Sequence, residues 1–72
     1  MKELDCVKVV KLLRANRWFD GTEVVKRPPQ IDDLGTIVHL AENFYTVENV
    51  DADGYTIWLA DFFIEELEIY EH

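Results

Sequence analysis

His39 and Cys6 are the side chains of this 72-residue chain best suited to proton-transfer or thiolate chemistry, and neither stands in a motif that would put it to work. General acid–base and nucleophilic catalysis need convergent groups with tuned pKa values, and no Ser-centred motif, phosphate loop or second cysteine is present. His39 lies inside an apolar run and reads as an outward or hydrogen-bonded core histidine rather than a base. The lone Cys6 excludes an internal disulfide framework and a cysteine-based zinc site, fits a reducing compartment, and reads as a small buried residue beside Val7. The sequence Asp51-Ala52-Asp53-Gly54 starts like a calcium loop but lacks the further Asp or Asn, the glycine at the sixth position and the closing Glu. No catalytic residue, metal or cofactor is expected.

Recognition chemistry is better supplied. Trp18 and Phe19 fall on a long connection with little core to fill, where large aromatics anchor interfaces or fold back as a lid. Trp58 alternates with Ile57 and Leu59, so one of the two faces it separates points outward. The carboxylates Glu65, Glu66, Glu68 and Glu71 form a run that suits a basic peptide or a metal, or simply a solvated face.

The elements that must position these groups are short and turn-bounded. Residues 35–40 (Gly-Thr-Ile-Val-His-Leu), 45–50 (Tyr-Thr-Val-Glu-Asn-Val) and 56–60 (Thr-Ile-Trp-Leu-Ala) read as strands of a meander. The turn 41–43 joins the first two, and 51–54 makes a hairpin loop whose Asp side chains accept backbone N–H groups and whose Gly54 takes a left-handed conformation. Residues 6–13 can be read two ways, since Leu4, Val7, Val10 and Leu13 recur at helical spacing; three valines in four positions favour a strand. Asp20-Gly21 and Pro28-Pro29 interrupt the connection 15–33, and Asp20-Gly21 suits a small hairpin between residues 18–19 and 23–25. Gly35 is placed where access to positive φ would help the chain turn into the sheet. A short helical turn about residues 64–67 lets Leu67 and Ile69 return to the core in a last strand.

Below roughly 70–80 residues a single core cannot be divided, so residues 1–72 form one domain. Nine aromatics in a chain that is 49% apolar supply that core. No run approaches the roughly 18 apolar residues of a membrane span and the first residues lack a secretory signal, so a cytoplasmic protein without membrane contact is expected. The net charge of −8 repels phosphate backbones, which argues against nucleic acid. The charge is uneven: residues 1–27 carry all seven Lys and Arg against four carboxylates, and residues 28–72 carry eleven carboxylates and neither Lys nor Arg. Either the basic part lies across the acidic remainder, or the acidic surface awaits a basic partner.

A strand, a long excursion, a meander and a short turn before a last strand together resemble an all-β, five-stranded SH3-like barrel with a 3₁₀ turn before its final strand. More narrowly, residues 7–13, 33–38 and 53–62 followed by Glu65-Glu66-Leu67-Glu68 resemble small bacterial proteins classed as a domain of unknown function. Asn49 and the compact 41–43 turn depart from that pattern, which carries an apolar residue and a longer loop there. Such proteins are encoded alone or near mobile and toxin-like genes, which implies binding or neutralisation and no activity. Gly35-Thr36-Ile37-Val38 also looks like the glycine-hinged strand of KOW-type RNA-binding barrels, but the charge here has the wrong sign. The SH3-like resemblance implies a groove between the excursion and the final turn, lined by Trp18 and Trp58 and rimmed by Asp32, Asp33, Glu65 and Glu66, suited to a basic or proline-containing peptide.

Three functional readings follow. The leading one is a non-enzymatic protein-interaction module whose aromatic and acidic edge, including Phe19, binds a protein or peptide, or a second copy in a homodimer. Another is an antitoxin or immunity-like protein that neutralises a basic effector. A small metal-dependent or accessory enzyme domain is the third, and it needs His39 buried within reach of two carboxylates.

Overall fold

The computed structural model describes residues 1–13, 23–24 and 26–71. Among them the chain forms one antiparallel sheet of six strands: β1 Cys6–Val9, β2 Glu23–Val24, β3 Leu34–Leu40, β4 Tyr45–Val50, β5 Thr56–Phe62 and β6 Leu67–Ile69. A 3₁₀ turn, Ile64–Glu66, precedes β6, and no described residue is α-helical. The strand order is β2-β5-β4-β3-β1-β6, with no pairing between the two outermost strands, so the sheet is open. The three apolar runs are strands as expected, and residues 6–9 resolve in favour of strand over helix. The strand beyond the expected five is the two-residue β2, which pairs with β5 through Glu23↔Leu59 and Val24↔Trp58. The other arm of the hairpin expected at Asp20-Gly21, with Trp18 and Phe19, lies outside the described residues. No helix among the described residues is long and apolar enough to cross a membrane.

The core is one face of this sheet. Val7 and Val9 from β1, Ile37, Val47, then Trp58, Ala60 and Phe62 from β5, and Leu67 from β6 are buried together. Alternation with period two puts them there. Along β5 the small Ala60 separates Trp58 from Phe62, whose rings meet at 5.5 Å between centroids and an interplanar angle of 57°. The same alternation corrects the reading of Cys6: it is half-buried on the opposite side of β1 from Val7. Leu67 returns to the core as expected, whereas Ile69 remains 39% exposed at the sheet's edge.

Two irregularities re-aim side chains. The β3–β4 register runs Ile37↔Val47 and then His39↔Thr46, so Val38 is an extra residue. Without it His39 would share the inward face of Ile37. With it Leu40 returns to the core side opposite Tyr45, and His39 is exposed. A second shift, from Asn49↔Trp58 to Val50↔Thr56, turns Thr56 away from the Trp58 face, where its hydroxyl donates to Glu48 Oε2 at 2.6 Å.

Gly35 serves a purpose other than the expected positive φ, which among the glycines is recorded at Gly54 (φ 87°). A Cβ on Gly35 would sit 2.5 Å from Val47 Cγ1 and 2.9 Å from the carbonyl oxygen of Glu48. Close packing of β3 on β4 is therefore what requires glycine. Gly35→Ala should lower stability by about 1–3 kcal/mol through overpacking, a fall in Tm of about 4–8 °C per kcal/mol. Thermal unfolding of Gly35→Ala beside Gly35→Ala/Val47→Ala checks the cause. Because the clash with the Glu48 carbonyl survives the second change and a core side chain is lost, the double variant should not regain wild-type stability.

Candidate interaction site

Of the four carboxylate residues expected on one rim, the end of β1 ties the backbones of three, Asp32, Asp33 and Glu66. The Val9 N–H donates to the Asp33 carbonyl at 2.8 Å and the Asp32 N–H donates to the Val9 carbonyl at 2.8 Å. From the other side, the Val10 and Lys11 N–H groups donate to the Glu66 carbonyl at 2.8 and 3.3 Å. Asp32 and Glu65 are exposed. Asp32 adopts a left-handed φ of 77°, a conformation Asp tolerates better than most residues.

Asp33 and Glu66 are instead braces inside the fold, which corrects their expected place on the rim. Asp33 accepts two hydrogen bonds from the Arg27 guanidinium at 2.7 and 3.0 Å, one from the Gln30 N–H at 2.9 Å, and one from the Trp58 indole N–H at 3.0 Å. Burial pushes the Asp33 carboxyl up, but the hydrogen bonds from Arg27, Gln30 and Trp58 and the Arg27 charge outweigh it and hold the group below the usual Asp value. Glu66 is fully buried, and its carboxylate accepts the Leu13 N–H at 2.8 Å and the Phe63 N–H at 2.7 Å.

Trp58 is likewise corrected: it is fully buried, with its indole N–H spent on Asp33, and offers no groove wall. The expected anchors Trp18 and Phe19 fall outside the described residues. His39 stands on the outward face beside Thr46, whose hydroxyl donates to Asp61 Oδ1 at 2.7 Å. Among the described residues no cluster of three His, Cys, Asp or Glu is placed to hold a metal ion.

A cleft absent from the sequence reading lies at the turn joining β3 to β4. The Ala41 N–H donates to the Phe44 carbonyl at 2.9 Å, closing a tight turn beside the 3₁₀ turn. Between them opens a shallow cleft of about 160 Å³ lined by Glu42, Asn43, Phe44, Tyr45 and Ile64. Ile64 is 48% exposed, and Phe44 and Tyr45 are half-buried, so the cleft has apolar and aromatic walls, Tyr45 from the start of β4 and Ile64 from the 3₁₀ turn. Glu42 stands exposed at its edge, and Glu65 follows Ile64. Among the described residues the ion pairs recorded are Lys26–Asp51 and Arg27–Asp33, which leave Glu42 and Glu65 uncompensated. Both of these pairs reach the acidic remainder from the segment before β3. The one sequence signal for the cleft was Phe44-Tyr45 directly after a polar turn, a pattern equally expected of a strand entering the core.

Comparison with known proteins found no matching family model, no matching curated protein and no matching solved structure.

Proposed function

We propose that this protein is a non-enzymatic interaction module of SH3-like architecture that binds a protein or peptide at the cleft between the β3–β4 turn and the 3₁₀ turn. Two features support the architecture. The chain runs β3-β4-β5 as a meander, and its last strand returns through a 3₁₀ turn to lie beside the first. The observation that carries the function is the cleft itself, where aromatic and aliphatic walls meet the exposed carboxylate of Glu42. Its chemistry suits a cationic side chain, with the aliphatic stem against Phe44, Tyr45 and Ile64 and the charge toward Glu42.

Selection from a random peptide library tests this reading. Recovered sequences should be enriched in Lys or Arg beside an apolar residue. Glu42→Lys should weaken their binding about tenfold or more by placing like charge at the cleft, while leaving Tm within about 2 °C, since Glu42 is an exposed turn residue. Recovered peptides without cationic bias, or undiminished binding to Glu42→Lys, would remove the cleft as the working surface.

A further inference from the structure

Beyond the cleft, the sheet ends on β6, and the phase of its hydrogen bonds determines what that edge offers. The Tyr70 N–H donates to the Cys6 carbonyl at 2.9 Å and the Val10 N–H to the Glu66 carbonyl at 2.8 Å. With the register Val7↔Ile69, Lys8↔Glu68 and Val9↔Leu67, residues 66, 68 and 70 therefore turn their peptide groups toward β1, and Leu67 and Ile69 turn theirs away. The Leu67 N–H is taken by the Ile64 carbonyl. The Ile69 N–H and the carbonyls of Leu67 and Ile69 thus face the outer side of the strand, beyond which no strand lies among the described residues.

We propose that this edge accepts an extended, Lys- or Arg-bearing segment of a partner protein as a further antiparallel strand. The inference rests on the interaction-module reading but uses a surface other than the cleft. Charge selects the occupant. Glu65, Glu68 and Glu71 are exposed along β6 and its ends, and residues 28–72 supply no Lys or Arg to offset them. A second copy pairing through its own β6 about a two-fold axis would crowd these carboxylates against their counterparts, a repulsion that protects edge strands from self-pairing. The molecule already contains the complementary case. On its inner edge β6 pairs with β1, whose Cys-Val-Lys-Val alternation buries Val7 and Val9 beside Ile69 and Leu67 and sets Lys8 directly opposite Glu68. A strand of the same alternation on the outer edge would cover the exposed flank of Ile69 and place a second cation beside Glu68, with main-chain bonds giving affinity and side chains specificity.

The test uses a synthetic alternating Lys-Val hexapeptide and the same peptide N-methylated on the amides that would face β6, followed by amide NMR and hydrogen exchange of the wild-type protein. The unmodified peptide should shift Ile69 and slow its exchange about tenfold or more at saturation. The methylated peptide should do neither, and Glu68→Gln/Glu71→Gln should weaken binding several-fold. Equal binding of both peptides, or an unchanged Ile69 amide, overturns the edge proposal. Shifts at Phe44 and Tyr45 with Ile69 unaltered overturn it while supporting the cleft; Ile69 protection with the cleft undisturbed does the reverse. Protection of Ile69 that grows with protein concentration in the absence of peptide makes a second copy the occupant and also overturns the proposal.

Discussion

Glu66→Ala is expected to leave the protein largely unfolded in water at 25 °C. The Glu66 carboxylate is fully buried and accepts the backbone N–H groups of Leu13 and Phe63, one from the segment leaving β1 and one from the entry to the 3₁₀ turn. Its backbone carbonyl holds Val10 and Lys11 as well, so the residue ties the last strand to the exit of the first. Truncation strands two part-buried donors, each at up to about 1–3 kcal/mol, and leaves a cavity. The two donors alone come to about 2–6 kcal/mol, comparable with the roughly 3–5 kcal/mol available to a domain of this size, and the cavity adds to the loss. Two further variants isolate the cause. Glu66→Met fills the space without accepting a bond and should lose about 2–3 kcal/mol; Glu66→Gln retains one acceptor and should lose less. Urea midpoints at constant slope read these differences. If Glu66→Met is as stable as wild type, the hydrogen bonds are not what the carboxylate contributes.

The second large effect is at Asp33. Asp33→Ala removes the acceptor of the Trp58 indole N–H inside the core and frees Arg27 and the Gln30 turn, for an expected loss of about 2–4 kcal/mol. The pH dependence follows from the direction of its shift. Burial raises the Asp33 pKa, the hydrogen bonds and the Arg27 charge lower it by more, and the net folded value lies below the unfolded one. The folded state therefore favours the ionised form. That stabilisation is fully present above the unfolded Asp value of about 3.9 and is lost as pH falls through the folded value. Asp51 adds to the same acid limb, held down first by its hydrogen bond from Lys26 and then by those from the Tyr55 and Asp53 N–H groups, against desolvation. Stability should be nearly flat from pH 7 to about 5 and fall below about pH 4. Asp33→Asn should be less stable at pH 7 and show a shallower acid limb. Tryptophan fluorescence in a Trp18→Phe background, where Trp58 alone reports, measures both. An acid limb of unchanged steepness in Asp33→Asn would assign the loss to other carboxylates.

The sequence was most legible where a local pattern decides structure. Residues 35–40, 45–50 and 56–60 alternate strongly enough to be strands in almost any context, and Asp51 with Gly54 makes its own loop: Asp51 Oδ1 accepts the Asp53 and Tyr55 N–H groups at 2.9 and 3.0 Å, while Gly54 takes the left-handed φ. It was least legible at the site. Glu65-Glu66 looks like one charged turn, yet the first is exposed and the second fully buried, because the 3₁₀ turn points Glu66 back at backbone donors of Leu13 and Phe63. Asp32-Asp33 divides in the same way, one side chain solvated and the other receiving the Trp58 indole N–H. Neighbouring residues of one type carry no local signal of which will be inside.

Composition, charge and alternation by themselves determined an all-β chain, a meander from residue 35 to residue 60 and an excess of carboxylates over its last two thirds. These are properties of each residue and its near neighbours in the chain. Only the tertiary structure decided that the extra residue at Val38 turns His39 outward, that Gly35 is required by the nearness of Val47 and the Glu48 carbonyl, and that Trp58 is core rather than groove. It alone joined the Glu42–Tyr45 turn to Ile64, some twenty residues later, as one cleft. Register, close approach and burial depend on which strands lie side by side, and no local stretch of sequence records that pairing.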